Sequence, residues 1–163
     1  RRIISNKYLK SGMGDGGGCH PRDNIALSWV AKQTGLSYDI FTSLMKAREA
    51  HVEWLIDVVE EQAERKKLPI LLLGKTFKPE TNITTGSPAI LMANLMHDRG
   101  LSFAHYDPYV DSPTLEIDEP YIIFLATNHP YDLGEIPTGS VVIDPFGVTP
   151  DLPGVKVMRL GRR

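Results

Sequence analysis

Twelve consecutive residues near the start of the chain, Gly12-Met13-Gly14-Asp15-Gly16-Gly17-Gly18-Cys19-His20-Pro21-Arg22-Asp23, place the only cysteine behind five of the 14 glycines. Glycine at that density lets backbone N–H groups approach an anion or a sugar with no Cβ atoms in the way. The run is not a dinucleotide-binding fingerprint, because no strand precedes it and the spacing after Gly14 is wrong. Cys19 falls close to the start of a helix, where the positive end of the dipole and Arg22 would favour the thiolate. Asp23, four residues on, could orient a water or serve as a base. The bland alternative is a flexible loop around an inert cysteine. Against it weigh the crowded glycines and the Pro21-Arg22-Asp23 that follows.

A second constellation is Gly74-Lys75-Thr76-Phe77-Lys78-Pro79. It follows a short apolar run, and the carboxyl end of a parallel strand is where open α/β sheets bind ligands. There Phe77 could stack on a base or sugar and Lys78 could pair with a phosphate. A solvated lysine on an ordinary loop is the competing reading. Asp107 in Tyr106-Asp107-Pro108-Tyr109 follows a strand-like run and could meet a ribose or simply make a turn, and His129 in Asn128-His129-Pro130 follows another, as a site residue or an ordinary loop histidine. The five histidines show no spacing with cysteine or acids that would make a zinc site, so no metal is expected.

These groups need elements to hold them. Asp23 is a plausible N-cap for a helix over 24–34 closed by Gly35. Ser37 or Asp39 then starts a helix to about Lys66. Its apolar residues Phe41, Leu44, Met45, Val52, Leu55, Val58, Val59 and Ala63 recur every three, four or seven positions. It would be roughly 40 Å long at 1.5 Å per residue, too long to bury its stripe on the short helix before it. A partner chain or another domain is the expected cover. Beyond Lys66-Lys67-Leu68-Pro69, short apolar runs at 69–74, 101–106, 121–127, 140–144 and 155–160 read as strands. Ser87-Pro88 opens a helix that ends near Gly100. The expected fold class is α/β: a helical segment with one long helix, then a small Rossmann-like, doubly wound parallel sheet. The boundary divides the chain into 1–67 and 68–163.

Composition bounds the rest. The chain has 163 residues, with Lys+Arg 18 against Asp+Glu 20. That balance argues against a broad footprint for nucleic acid or an anionic membrane, and no apolar run approaches a membrane span. A single cysteine excludes an internal disulfide framework and fits a cytoplasmic setting. The first residue is Arg1 rather than Met, so the expectation is a processed chain or a piece of a longer frame.

Taken together, the residues resemble the UDP-glucose/GDP-mannose dehydrogenase family, the nucleotide-sugar 6-dehydrogenases, over nearly the whole chain but only over the C-terminal half of that family's protein. Gly16 to Asp23 is similar to the family's G-G-S-C-F-P-K-D, whose cysteine is the nucleophile. Arg2-Ile3 and Tyr8-Leu9-Lys10 resemble the R-I and F-L-K of its substrate loop. Phe77-Lys78-Pro79, Thr81 and Ser87-Pro88 resemble its F-K-P-x-T-x-D-x-R-x-S-P segment, Tyr106-Asp107-Pro108 its Y-D-P, and Thr127-Asn128-His129 its A-T-x-H. Departures accompany these matches. Gly18 stands for the family serine, His20 for phenylalanine and Arg22 for lysine. Thr85 stands where the family has a cofactor-side arginine, and Asn82 and Ile83 stand for its acidic pair. Asp144-Pro145-Phe146 stands where D-x-R is expected.

The resemblance implies an NAD-dependent oxidation of a sugar C6 alcohol to a uronic acid, as in polysaccharide biosynthesis. Cys19 would trap the C6 aldehyde as a thiohemiacetal, a second oxidation would leave a thioester, and water would release the acid. It implies Cys19 and Asp23 as catalytic residues, and Arg2, Tyr8, Lys10, Gly16, Gly17, Phe77 and Lys78 as contacts to a UDP- or GDP-sugar. It also implies a homodimer through helix 37–66. The NAD-binding N-terminal domain would lie outside this chain, cut away or supplied separately, leaving the fragment inactive by itself. The competing reading is a module that binds a nucleotide sugar, or only dimerises, and catalyses nothing.

Overall fold

The computed structural model describes residues 10–112, 115–133 and 136–161. Helix α1 runs over His20–Gln33 and helix α2 over Ile40–Lys66. They are followed by strand β1 (Ile70–Leu73), helix α3 (Pro88–Asp98), and strands β2 (Phe103–Tyr106), β3 (Ile122–Leu125), β4 (Val141–Asp144) and β5 (Lys156–Arg159). The five strands form one sheet in the order β2-β1-β3-β4-β5, every neighbouring pair parallel. The α/β class and the helices-then-sheet order are those expected.

The central strands ILLL, IIFL and VVID are buried along their whole length, as a parallel sheet covered on both faces requires. Alternation divides their side chains. Ile70, Leu72, Ile122, Phe124, Val141 and Ile143 join a core with α2 and α3. Leu71, Leu73, Ile123, Leu125 and Val142 face the other way, under Leu115, Ile117, Tyr121, Tyr131, Leu133, Ile136 and Leu152. Among the described residues that second face is covered by irregular segments, where a doubly wound sheet would carry helices. The apolar residues of the β2–β3, β3–β4 and β4–β5 connections are too few and too interrupted by proline to make an amphipathic helix.

One helix start differs from expectation for a local reason, and the other is as expected. Helix α1 begins at His20, four residues before the expected start, with Cys19 as its N-cap residue and Pro21 in the first turn. Proline is pre-set for helical φ and gives up only an N–H that the first turn cannot pair, so Asp23 becomes a first-turn acid and not the cap. Helix α1 closes as expected. Gly35 has φ +67°, and the N–H groups of Gly35 and Leu36 donate to Lys32 and Ala31. Helix α2 is capped by Asp39, whose carboxylate accepts from Thr42 N–H at 3.0 Å and from the Ser28 and Thr42 hydroxyls at 2.5 and 2.7 Å. Ser28 thereby fastens α1 to the start of α2.

The apolar stripe of α2 is divided. Val52, Leu55, Ile56 and Val59 are buried in the chain's own core beside Ala89, Met92 and Met96 of α3. Each such side chain contributes about 1.5–3 kcal/mol by leaving water, and Arg99 braces the pair of helices through Asp57 and Glu60 at 2.6 and 2.7 Å. The cover for this half is the sheet that follows in the same chain. The first half remains outside: Ile40 and Leu44 are about half exposed, and Ile25, Trp29 and Leu36 on and after α1 and Tyr38 in the connection are more exposed still.

Candidate functional site

The two constellations, Gly12 to Asp23 and Gly74 to Pro79, meet in space. A cleft of about 660 Å³ lies between the glycine loop and the carboxyl ends of β1, β3 and β4. Its walls are Lys10 to Asp15 from the loop, His51 from α2, Phe77, Lys78 and Pro79 after β1, Pro88 at the start of α3, Ala126, Thr127 and Asn128 after β3, and Phe146 after β4. Strand β1 has β2 on one side and β3 on the other. The cleft therefore opens at the point where successive connections leave in opposite directions, the usual ligand position of open α/β sheets.

Glycine permits the approach of loop to sheet. Gly17 has φ +95°, and a Cβ there would stand 3.2 Å from the Phe77 ring. Gly86, at φ +71°, passes so close that a Cβ would lie 2.1 Å from the Gly17 carbonyl oxygen, while Gly17 N–H donates to Gly86 O at 3.0 Å. A Cβ on Gly16 would reach Pro88 Cδ at 2.8 Å. Gly18 is different: a Cβ would meet only Thr85 Cγ2, at an ordinary 3.7 Å. The loop is also held from α2. His51 Nε2 is 3.1 Å from Gly12 O, and Arg48 Nε lies 3.7 Å from the Asp15 carboxylate.

The sheet side is built on two buried carboxylates. Asp107, at the end of β2, accepts from the N–H groups of Lys75, Thr76 and Tyr109 at 2.6, 3.2 and 2.8 Å. Burial pushes its pKa up, but these N–H groups and His129 overcome it and hold the carboxyl below the ordinary range. His129 is buried. Its Nδ1 accepts from Glu80 N–H at 3.0 Å, which leaves Nε2 to donate to Asp107 at 3.1 Å, beside Thr76 Oγ1 at 3.0 Å. Its ring is stacked on Tyr109 at 4.5 Å. His129 thus ties three strand-end loops together as a positioning residue, and Asp107 is occupied in the same way. Asp144, at the end of β4, is likewise lowered against the effect of burial by the N–H groups of the turn that follows it.

The expected site residues fall into three groups. Gly16, Gly17, Phe77, Lys78 and Lys10 are at the cleft or pack against its walls, with Lys78 Nζ 5.4 Å from the Phe77 ring centre. Cys19 and Asp23 stand at the start of α1, outside the cleft walls. Cys19 is exposed, and Asp23 accepts from Arg22 Nε at 2.8 Å, so that carboxylate is already paired. Asp23 also raises the Arg22 guanidinium, and Cys19 adds a smaller effect of the same sign. Arg2 and Tyr8 lie outside the described residues. Thr85 is exposed beside Gly18. Lys75, a weaker candidate, is spent on Asp111 at 2.7 Å.

Sequence reasoning missed Arg48, His51 and Phe146. The first two are three residues apart on one side of α2, and spacing alone gives them no target. Among the described residues no group of three or more His, Cys, Asp or Glu could hold a metal, and no helix is long and apolar enough to cross a membrane. The amino end of α3, where a dinucleotide fold would seat a pyrophosphate, is crowded by the glycine loop, although its Pro88 lines the cleft. Ser87 Oγ accepts from Ala89 N–H at 3.1 Å, and Gly16 and Gly17 pack against Pro88 and Gly86.

Residues 1–50 match the sequence profile described as the UDP-glucose/GDP-mannose dehydrogenase family, central domain. The chain is 31% identical over 106 residues to a UDP-glucose 6-dehydrogenase of Bacillus subtilis, a match that covers 64% of the chain and 23% of that protein. It is 30% identical over 108 residues to a GDP-mannose 6-dehydrogenase of Azotobacter vinelandii, over 66% of the chain and 24% of that protein. The matched stretch is thus about a quarter of the length of these relatives. In fold, the chain resembles a UDP-glucose dehydrogenase from Pyrobaculum islandicum with a TM-score of 0.73 at 24% identity, over 96% of this chain and 40% of that one. It also resembles a GDP-mannose dehydrogenase from Pseudomonas aeruginosa with a TM-score of 0.69 at 19% identity, over 94% of this chain and 41% of that one.

Proposed function

From a chain that belongs to the UDP-glucose/GDP-mannose dehydrogenase family, we propose the sugar-nucleotide-binding and cysteine-bearing part of a nucleotide-sugar 6-dehydrogenase, corresponding to the C-terminal half of the family's protein. In this reading residues 1–67 form the substrate loop and dimerisation helices, and residues 68–163 form the nucleotide-binding domain. The observation that carries it is the meeting of the glycine loop with Phe77 and Lys78 around one cleft at the strand ends. Lys78, beside the Phe77 ring, supplies positive charge for a diphosphate. The cleft volume is of the size small-molecule sites have.

The chemistry of this part follows from Cys19. Its Sγ, as thiolate, adds to the C6 carbonyl carbon of an aldehyde, and the carbonyl oxygen takes up a proton to give a thiohemiacetal. Cys19 is exposed at the N-cap of α1, where a substrate carbonyl can reach it. After oxidation to the thioester, Asp23 would orient the water that releases the acid, once substrate draws it away from Arg22. NAD, which the family reading implies as hydride acceptor, finds no glycine fingerprint between a strand and a helix among the described residues, and the cap position of the helix after β1 is taken by Ser87. Its seat belongs to a part of the enzyme outside them. We further propose a homodimer through the helix over 37–66, with the exposed Trp29, Ile25, Leu36, Tyr38, Ile40 and Leu44 as the patch that needs cover, and a cytoplasmic setting.

One arrangement favours a second reading, a non-catalytic nucleotide-sugar-binding module: Cys19 and Asp23 stand outside the cleft walls. Calorimetry with UDP-glucose, UDP-N-acetylhexosamine and GDP-mannose tests the part common to both readings. Binding by at least one, weakened by Phe77→Ala and Lys78→Ala, is expected. No binding by any of them removes the proposal.

A further inference from the structure

We propose that Phe146 is the platform on which the base of the nucleotide sugar stacks, an inference that rests on the reading of the cleft as a nucleotide-sugar site. The ring follows β4, is half-buried and lines the cleft. Its backbone is unusually constrained. The Asp144 carboxylate accepts from the N–H groups of Phe146, Gly147, Val148 and Thr149 at 2.7–2.9 Å. Ser11 Oγ donates to Phe146 O at 3.0 Å, and Arg159 Nε donates to Thr149 O at 2.6 Å. The loop comes up to the ring at Gly12, where a Cβ would already stand 3.3 Å from two ring carbons. A ring fixed in this way gives up little freedom when a flat ligand meets it.

The charges of the cleft say which part of the ligand belongs there. Lys78 follows β1, and β1 and β4 are separated by β3 alone, so about 10 Å lies between their ends. The sheet edge therefore passes from a cation at β1, across Thr127 and Asn128 at β3, to an aromatic ring at β4. A nucleoside diphosphate sugar is graded in the same sense, with its charge in the diphosphate and a flat π system at one end. With the diphosphate at Lys78, the base extends toward β4. The sugar then extends to the side where Gly17 packs on Phe77, two residues from Cys19. The opposite orientation would carry the sugar away from the cysteine.

The test is calorimetric, on the full chain. The ligands are UDP-glucose and GDP-mannose, the corresponding nucleoside diphosphates, and the sugar 1-phosphates that lack a base. The variants are Phe146→Leu, which keeps apolar volume and loses the π face, and Phe146→Tyr, which keeps both. The expected result is a loss of roughly tenfold in affinity for every base-containing ligand in Phe146→Leu, with sugar 1-phosphate affinity unchanged and the loss restored in Phe146→Tyr. Equal losses with and without the base would make Phe146 a wall only and overturn the assignment. So would unchanged affinity for the nucleoside diphosphates. A wild-type chain that binds no nucleotide overturns the reading of the cleft itself, which is a distinguishable failure.

Discussion

Gly86→Ala isolates the contact on which the site depends. Gly86 combines φ +71° with a Cβ position 2.1 Å from the Gly17 carbonyl oxygen and 2.5 Å from its carbon. The left-handed conformation costs a residue with a Cβ about 1–2 kcal/mol. The clash is with backbone, so no rotamer change relieves it, and overpacking of this kind costs about 1–3 kcal/mol. The chain has two ways to respond. If the loop stays in place, stability falls by about 2–5 kcal/mol, which at 2–4 °C per kcal/mol for this size is a Tm loss of about 4–20 °C. If the loop lifts away, it loses the 3.0 Å bond from Gly17 N–H to Gly86 O and the contact of Gly17 with Phe77. Most of the stability then survives, but one wall of the cleft is gone. Because Gly17 contributes no side chain to hold the loop down, lifting is the cheaper response. A modest Tm loss with at least tenfold weaker nucleotide-sugar binding is expected. The assays are a thermal melt and calorimetry on the same samples, with Gly35→Ala as control, since Gly35 shares the positive φ but has nothing within 4 Å. A Gly86→Ala chain with wild-type Tm and wild-type affinity would refute the packing argument.

Three further outcomes are expected. Cys19→Ser in the complete enzyme should abolish formation of the acid while leaving nucleotide-sugar affinity within about twofold, and undiminished acid production would remove Cys19 as nucleophile. Asp144→Asn should cost about 2–3 kcal/mol at pH 7 in urea denaturation, since an amide cannot accept from all four turn N–H groups. The folded Asp144 pKa is lowered, so its contribution is present above the ordinary carboxylate range and is lost as pH falls below it. The gap between wild type and variant should therefore narrow in acid, and a gap that widens below pH ~4 would contradict the assignment. Sedimentation should show a concentration-dependent dimer weakened by Trp29→Glu, a residue 63% exposed on α1, and a wild-type monomer at high micromolar concentration would leave the patch without that role.

Much of this protein is local in origin. The period of α2 and the short apolar runs of β1, β3 and β4 are readable because burial on a helix stripe or on both faces of a strand imposes its own spacing. Caps such as Asp39 and Ser87 and the closing Gly35 are readable because they serve backbone groups within a few residues. Even the glycine loop announces itself, since crowded glycine has few uses other than close approach. What the loop approaches is another matter. That Gly17 lies on Phe77, that Gly86 leaves room for the Gly17 carbonyl, and that Arg48 and His51 hold the loop from α2 depend on packing between segments 30 to 70 residues apart. The same is true of the long stripe of α2, whose second half finds its cover in the chain's own sheet. No periodicity names the surface that will meet it. His129 marks the limit most clearly. A histidine after a strand is chemically versatile in sequence, and only the arrival of Thr76 and Glu80 from beyond β1 and of Asp107 from the end of β2 makes it a strut. Residue types and spacing determined the elements. Tertiary contact decided which of those residues share a cleft, because hydrogen bonding and van der Waals packing act over a few ångströms of space whatever the distance along the chain.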